Sequence, residues 1–335
     1  MRGLVSNPLI LPNCKHPVPV VTNCFSSDIP ARSFAMCMSG FMGESPCVWC
    51  LEKGEIVKKG GGHPRVFPNH QVIPRTANDF QYSLREIANG ISPHRGIHSE
   101  SPLMQLPHFD TLMSQGFDYL HCCELGICRL LLNVLLEYSP TSTYMSKKER
   151  ITQFTDSILN WHPPSEISRP PRSLLDRGSF KANEYRRLFL LYLIQSISGA
   201  VNDRKAHTLF VVAVYLSLED IIPKSTVAKI RNYSKKFVAG IAELYGKEHC
   251  TFNVHTFLHL ADCVDRFGPI YEDSTFVFEN INNELAHMKT GTLHILEEIA
   301  NRFKAYRYTI ILAFRINDPV YFVRNQIHVY CVSFY

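Results

Sequence analysis

Apolar residues recur at helical spacing through most of this chain, in runs separated by short breaks. Asp79 to Ala88 has that spacing. Asp118 to Tyr138 carries it more strongly, with Leu120, Ile127, Leu131, Val134 and Leu135 among its apolar positions. Lys147 to Leu159 is amphipathic. Further helices are predicted over Lys181 to Ser198, Arg204 to Leu218 and Ser225 to Tyr245, with Pro223 and Gly246 as breaks. A last group runs over Val254 to Phe267, Thr275 to His287 and Leu293 to Phe314.

The residues before about Asn69 have a different texture and read as extended. Val18 to Thr22 is β-rich and ends at Ser26-Ser27-Asp28, which places Asp28 at the end of a strand. Pro30-Ala31-Arg32 can then open a helix, capped by Asp28 or Ser27. Val66 to Pro68 reads as a short strand, and Lys58 to His63 and Gly90 to Pro107 as loops. Trp161 to Arg172 is a Pro-rich connector, and Val320 to Tyr335 an apolar, aromatic tail. The fold class that follows is α+β and mostly helical. The segments are 1–74, an all-α stretch over 75–250, returning helices over 251–315, and an irregular tail over 316–335.

Composition adds limits. Hydrophobic residues are 45% of the 335, so the chain is globular. A net charge of +5 permits a polyanionic partner without requiring one. The longest apolar runs, Leu188 to Val201 and Thr208 to Leu218, fall short of the roughly 20 residues a bilayer needs, so no membrane partner is expected. No secretory signal opens the chain, and a reducing compartment, nuclear or cytoplasmic, is expected.

Four constellations carry possible chemistry. Cys47-x-x-Cys50 suits a metal ion, or reads as two ordinary thiols; a redox pair lacks its βαβ surroundings. His255 and His259 share one face of a helix, as ligands or as packed core. No Glu follows His255, against a zinc protease. Together these four make a closed tetrahedral set for structural Zn²⁺. Asp28 and Glu279 are candidate acids for Mg²⁺, or a helix cap and a surface acid. Asp118 and His121 open the long apolar helix, as a cap or as a pair near a scissile phosphate. Arg169, Arg172, Lys181 and Arg186 form a basic group, a DNA-backbone surface or a solvated helix face.

The order of these motifs resembles a family. Asp28-x-Pro-Ala-Arg32, Gly43, Cys47-x-x-Cys50, Leu106-Pro-x-Phe-Asp110, Asp118-x-x-His121 with Gly126, Lys181-Ala-x-Glu184, Tyr245-Gly246, Asn253-x-His255-x-x-x-His259, Gly268-Pro269 and Phe276-x-Phe-Glu279 follow as in the transposases of CACTA (En/Spm-type) DNA transposons. The resemblance implies an RNase H-like core interrupted by a large all-α insertion. It implies DNA cleavage and strand transfer by three acids with Mg²⁺, Asp28 as the second and Glu279 as the third, facing one cleft. It also implies zinc at the Cys and His pairs and a DNA partner, with a homo-oligomer admitted. No Asp or Glu precedes Asp28, so the first acid is absent from this chain. An N-terminally truncated core without activity is the expectation. The alternative is a retained, non-catalytic zinc-braced module that binds DNA or protein; a helical protein with incidental motifs is the third reading.

Overall fold

The computed structural model describes residues 24–106, 109–137, 147–160, 171–193, 201–272, 274–291 and 294–316. It is mostly helical, as the apolar spacing predicts. Among the described residues the only strands are β1, Glu55–Ile56, and β2, Arg65–Val66, which pair antiparallel. Over its described residues, 24–74, the first segment forms no strand beyond this pair. Its Gly- and Pro-rich backbone makes isolated bridges instead, such as Phe25 with Gln115 and Cys50 with Pro74. The predicted strand over Val18 to Thr22, the motif residue Pro107, Arg169 and the aromatic tail lie outside the described residues.

Helix α1, Ile29–Ala35, starts as predicted: Asp28 Oδ1 accepts from Ala31 N at 2.7 Å and Pro30 occupies the first turn. Helix α2, Ala77–Ala88, opens on a capping box between Thr76 and Asp79. Helix α3 has two parts, Leu120–Cys128 with i→i+5 hydrogen bonding and Arg129–Glu137 as ordinary α-helix. Helix α4 is Lys147–Leu159, and α5 is Ala182–Arg187 continued by a second wide-turned stretch, Leu188–Leu193. Then follow α6, Val201–Ser217, and α7, Lys224–Tyr245. Helix α8 runs Phe252–Thr256, tightens to a 3₁₀ turn over Phe257–His259, and resumes as Leu260–Phe267.

Phe210 of α6, Phe237 of α7 and Phe257 of α8 are fully buried and meet with ring centroids 5.2–5.4 Å apart. Phenylalanine pairs of this kind hold helices together beyond simple area burial. The wide turns of α3 bring Gly126 against α8. A Cβ there would lie 2.3 Å from Asn253 Nδ2 and 2.8 Å from His121 O. Gly126→Ala is expected to destabilise the protein by about 1–3 kcal/mol through overpacking, read as a lower urea midpoint at unchanged slope.

Contacts divide the chain into two units, Met1–Thr275 and Phe276–Tyr335. The division falls inside the segment 251–315, after α8. In the second unit α9, Phe276–His287, precedes α10, Ile295–Ile316, and Glu298 of α10 caps the turn at Thr290 and Gly291. Among the described residues no helix is long and apolar enough to cross a membrane.

Candidate metal centre

Cys47 and Cys50 sit on a loop that is pinned from several directions. Leu51 N donates to Ile73 O at 3.0 Å, and Arg75 N to Trp49 O at 2.9 Å. The buried Arg75 guanidinium donates through Nη2 to Cys47 O and Arg95 O, both at 3.0 Å, and to Ser45 O at 3.3 Å. Such a fork of donors fits several carbonyls at once. On the far side Phe67 N donates to Cys250 O at 2.8 Å, tying the end of β2 to the residues that open α8.

Helix α8 supplies His255 in its first stretch and His259 at its 3₁₀ turn. Cys50 Sγ lies 3.3 Å from His255 Nε2, and Cys47 Sγ lies 3.4 Å from His259 Nε2, across 205 and 212 residues of sequence. One ligand atom from each residue falls within 4.8 Å of all the others, and all four residues are buried. A tetrahedral ion with bonds of about 2.3 Å to sulfur and about 2.0–2.1 Å to nitrogen sets S···N edges of about 3.5 Å. The observed edges fit, and the four residues could hold a metal ion such as zinc.

Aromatic rings wall the cluster. Trp49 lies against His259 at 5.2 Å, and Phe67 and Phe252 against His255 at 5.3 and 5.8 Å. His255 Nδ1 is buried without a hydrogen-bond partner among the described residues. Its ring is held by this packing, not by the outer carboxylate common at metal-bound imidazoles.

The two thiols titrate as a unit. Burial pushes Cys47 up, but the hydrogen bond from Cys50 and the nearby imidazoles more than reverse this and hold it well below the ordinary thiol range. Cys50 is pushed far up, first by the hydrogen bond it gives Cys47 and then by burial. In the metal-free protein one proton thus serves both sulfurs. A bound dication would replace it, since the bound form of each cysteine ligand is the thiolate.

Arg32 connects this centre to a second site. Its guanidinium stacks over Trp49 at 4.7 Å and donates to Gly116 O at 2.6 Å and Ser27 O at 3.2 Å. Burial lowers its pKa, and the charge of Asp118 works in the opposite direction. Asp118 is itself buried. Its Oδ1 accepts from His121 N at 3.1 Å and Thr275 Oγ1 at 2.8 Å, and Oδ2 meets His121 Nδ1 at 2.9 Å. Asp118 therefore both caps α3 and orients His121. Thr275→Val is expected to cost about 1 kcal/mol, the net worth of one hydrogen bond, in urea unfolding.

The remaining candidates have surroundings of their own. Asp28 is half-buried and caps α1. Glu279 is exposed, in the first turn of α9 in the second unit. Arg172 is paired with Glu184 at 2.7 Å, Lys181 is exposed just ahead of α5, and Arg186 Nε lies 3.7 Å from the buried Glu124. Arg75 and Trp49 complete the centre without any sequence signal of their own. Glu124 had one: it is the lone acid in the apolar run Leu120–Cys128. No protein-family model and no curated protein sequence matches the chain.

Proposed function

We propose that the chain is a transposase-derived DNA-handling protein whose first unit is braced by a structural zinc ion. The observation that carries this reading is the convergence of Cys47, Cys50, His255 and His259 from opposite ends of the first unit. Four buried ligands leave no open position, so the ion would supply cross-linking and no Lewis-acid chemistry. In the proposal the loops and short strands around Cys47 derive from an RNase H-like core, and the helices between 75 and 250 from its all-α insertion.

Asp118 accepts the Nδ1 proton of His121 and fixes the imidazole's orientation, which suits a ring presented to a phosphate or a water. Asp28 retains a carboxylate at the start of α1, and Glu279 one at the start of α9. Mg²⁺ at these acids is part of the ancestry proposed and adds no step here, because two-metal strand transfer needs a third carboxylate. The expected result is that this chain alone binds DNA weakly and without sequence preference, with affinity falling steeply in salt. It is expected to neither nick plasmid DNA nor join oligonucleotides in Mg²⁺ or Mn²⁺. Activity that Glu279→Gln abolishes would overturn the inactive reading, and the absence of any DNA binding at low salt would overturn the DNA partner.

A further inference from the structure

Away from the metal centre, a cleft of about 580 Å³ lies where the segment before α5 folds against that helix. The volume falls within the range of small-molecule sites, about 300–1,000 Å³. Three cations line it, Arg172, Lys181 and Arg187, against a single carboxylate, Glu184. The rest of the lining is largely apolar, including Phe180, Leu188 and Tyr192.

The decisive feature is how Arg172 is held. Its Nε and Nη2 reach the two oxygens of Glu184 at 2.7 and 3.2 Å, and Nη2 also lies 3.4 Å from Ser179 O. One plane of the guanidinium rests on the Phe180 ring at 5.1 Å. Yet the side chain is 44% exposed. With these in-plane donors engaged, Arg172 is poorly placed to fork a phosphate. What it offers is a flat, cationic face. Nucleobases stack on guanidinium planes in this way, and neighbouring lysine and arginine take the phosphate.

We propose that this cleft binds one nucleotide, its base on the outer face of Arg172 and its phosphate toward Lys181 and Arg187. The inference deepens the DNA reading and rests on it for one of two sources of the same chemistry, a unit of a single strand or a free nucleotide.

The test uses the full chain with three probes: a short oligothymidylate, dAMP and inorganic phosphate. Binding is followed by fluorescence anisotropy and competition at several salt concentrations. Arg172→Lys keeps the charge and loses the plane. It is expected to weaken oligothymidylate and dAMP about tenfold, the scale of one lost base stack, with the salt slope unchanged. Phe180→Leu, which removes the support beneath the guanidinium, is expected to act in the same direction. Lys181→Gln, at an exposed position, is expected to reduce the oligonucleotide salt slope by about one. Oligothymidylate binding with dAMP ineffective assigns the site to a strand. Binding of dAMP that Arg172→Lys weakens, without any DNA binding, keeps the site and removes the DNA reading. Unchanged affinity for both probes in Arg172→Lys and Phe180→Leu overturns the site, even where duplex DNA still binds elsewhere. Inorganic phosphate competing as well as dAMP also overturns it.

Discussion

Cys50→Ser is expected to abolish zinc binding and to lower the stability of the first unit by several kcal/mol. Serine keeps a group that can hydrogen-bond His255 but gives up the thiolate. The variant therefore separates a metal centre from two Cys–His hydrogen bonds, which serine would partly replace. A ligand that binds only the folded state stabilises it by about 4 kcal/mol when its free concentration is about 1,000-fold above Kd. The loss stays below the roughly 10–16 kcal/mol binding free energies of zinc-finger peptides, because it is set by free zinc relative to Kd and not by the whole binding free energy. Metal content by mass spectrometry should fall from one zinc per chain to none. A chelator should bring the wild type down to the variant's urea midpoint and leave the variant unmoved. Amides over the Cys47 loop and the start of α8 should lose exchange protection together. Wild-type protein that carries no zinc after supplementation, or a variant as stable as wild type, would sink the metal reading. Acidification has a definite sign as well. Zinc binding would displace the proton that Cys50 retains, so apparent affinity should drop about tenfold per pH unit from that proton alone.

The two halves of this centre were legible in the sequence as pairs because each is a local geometry. Two residues between cysteines, or three between histidines on a helix, already aim both side chains one way. Their meeting was suggested by the complementary donor set and by the order of motifs, not by any local geometry. It is produced by backbone bonds such as Phe67 to Cys250 and Leu51 to Ile73, which no periodicity encodes. Most helices were readable for the same local reason; Lys147–Leu159 has the predicted limits. The wide turns of α3 and the 3₁₀ turn at Phe257–His259 were not. They accompany close packing, Gly126 against Asn253 and Phe257 against Phe210 and Phe237, and not an i, i+3, i+4 pattern. Between residues 24 and 75 the backbone groups of Leu51, Phe67 and Arg75 clamp the cysteine loop, a use that no alternation of apolar residues signals. Arg75 was invisible, since one arginine after a proline looks like any surface cation until its carbonyl partners are known.

Glu124→Gln is expected to stabilise the protein in alkaline solution and to change little in acid. Glu124 lies on the wide-turned part of α3 and is 1% exposed. Both carboxylate oxygens are buried with only weak support from the Tyr119 hydroxyl, and the cation Arg186 lies with its Nε 3.7 Å away. Burial pushes its pKa from 4.5 up to about 8, Arg186 and the nearby Tyr119 hydroxyl oppose this, and Asp118 adds to it. Tyr119, Cys123 and Cys128 also face this region, and burial pushes each of them up, so in the neutral range they leave Glu124 as the titrating group. An acid whose folded pKa is raised binds more protons when folded than when unfolded. Its penalty is absent below about 4.5, grows as pH rises, and is complete above about 8. Each tenfold change in proton affinity is worth about 1.4 kcal/mol, so ionisation costs on the order of 3–5 kcal/mol. Glutamine copies the neutral acid in shape and cannot ionise. The difference in urea unfolding free energy between variant and wild type should therefore be near zero at about pH 4 and reach about 3–5 kcal/mol in the variant's favour at about pH 9. Taking the difference at each pH removes any zinc contribution, which both proteins would share. The opposite outcome, a variant less stable at about pH 9, would mean that the Arg186–Glu124 pair outweighs the cost of burying it.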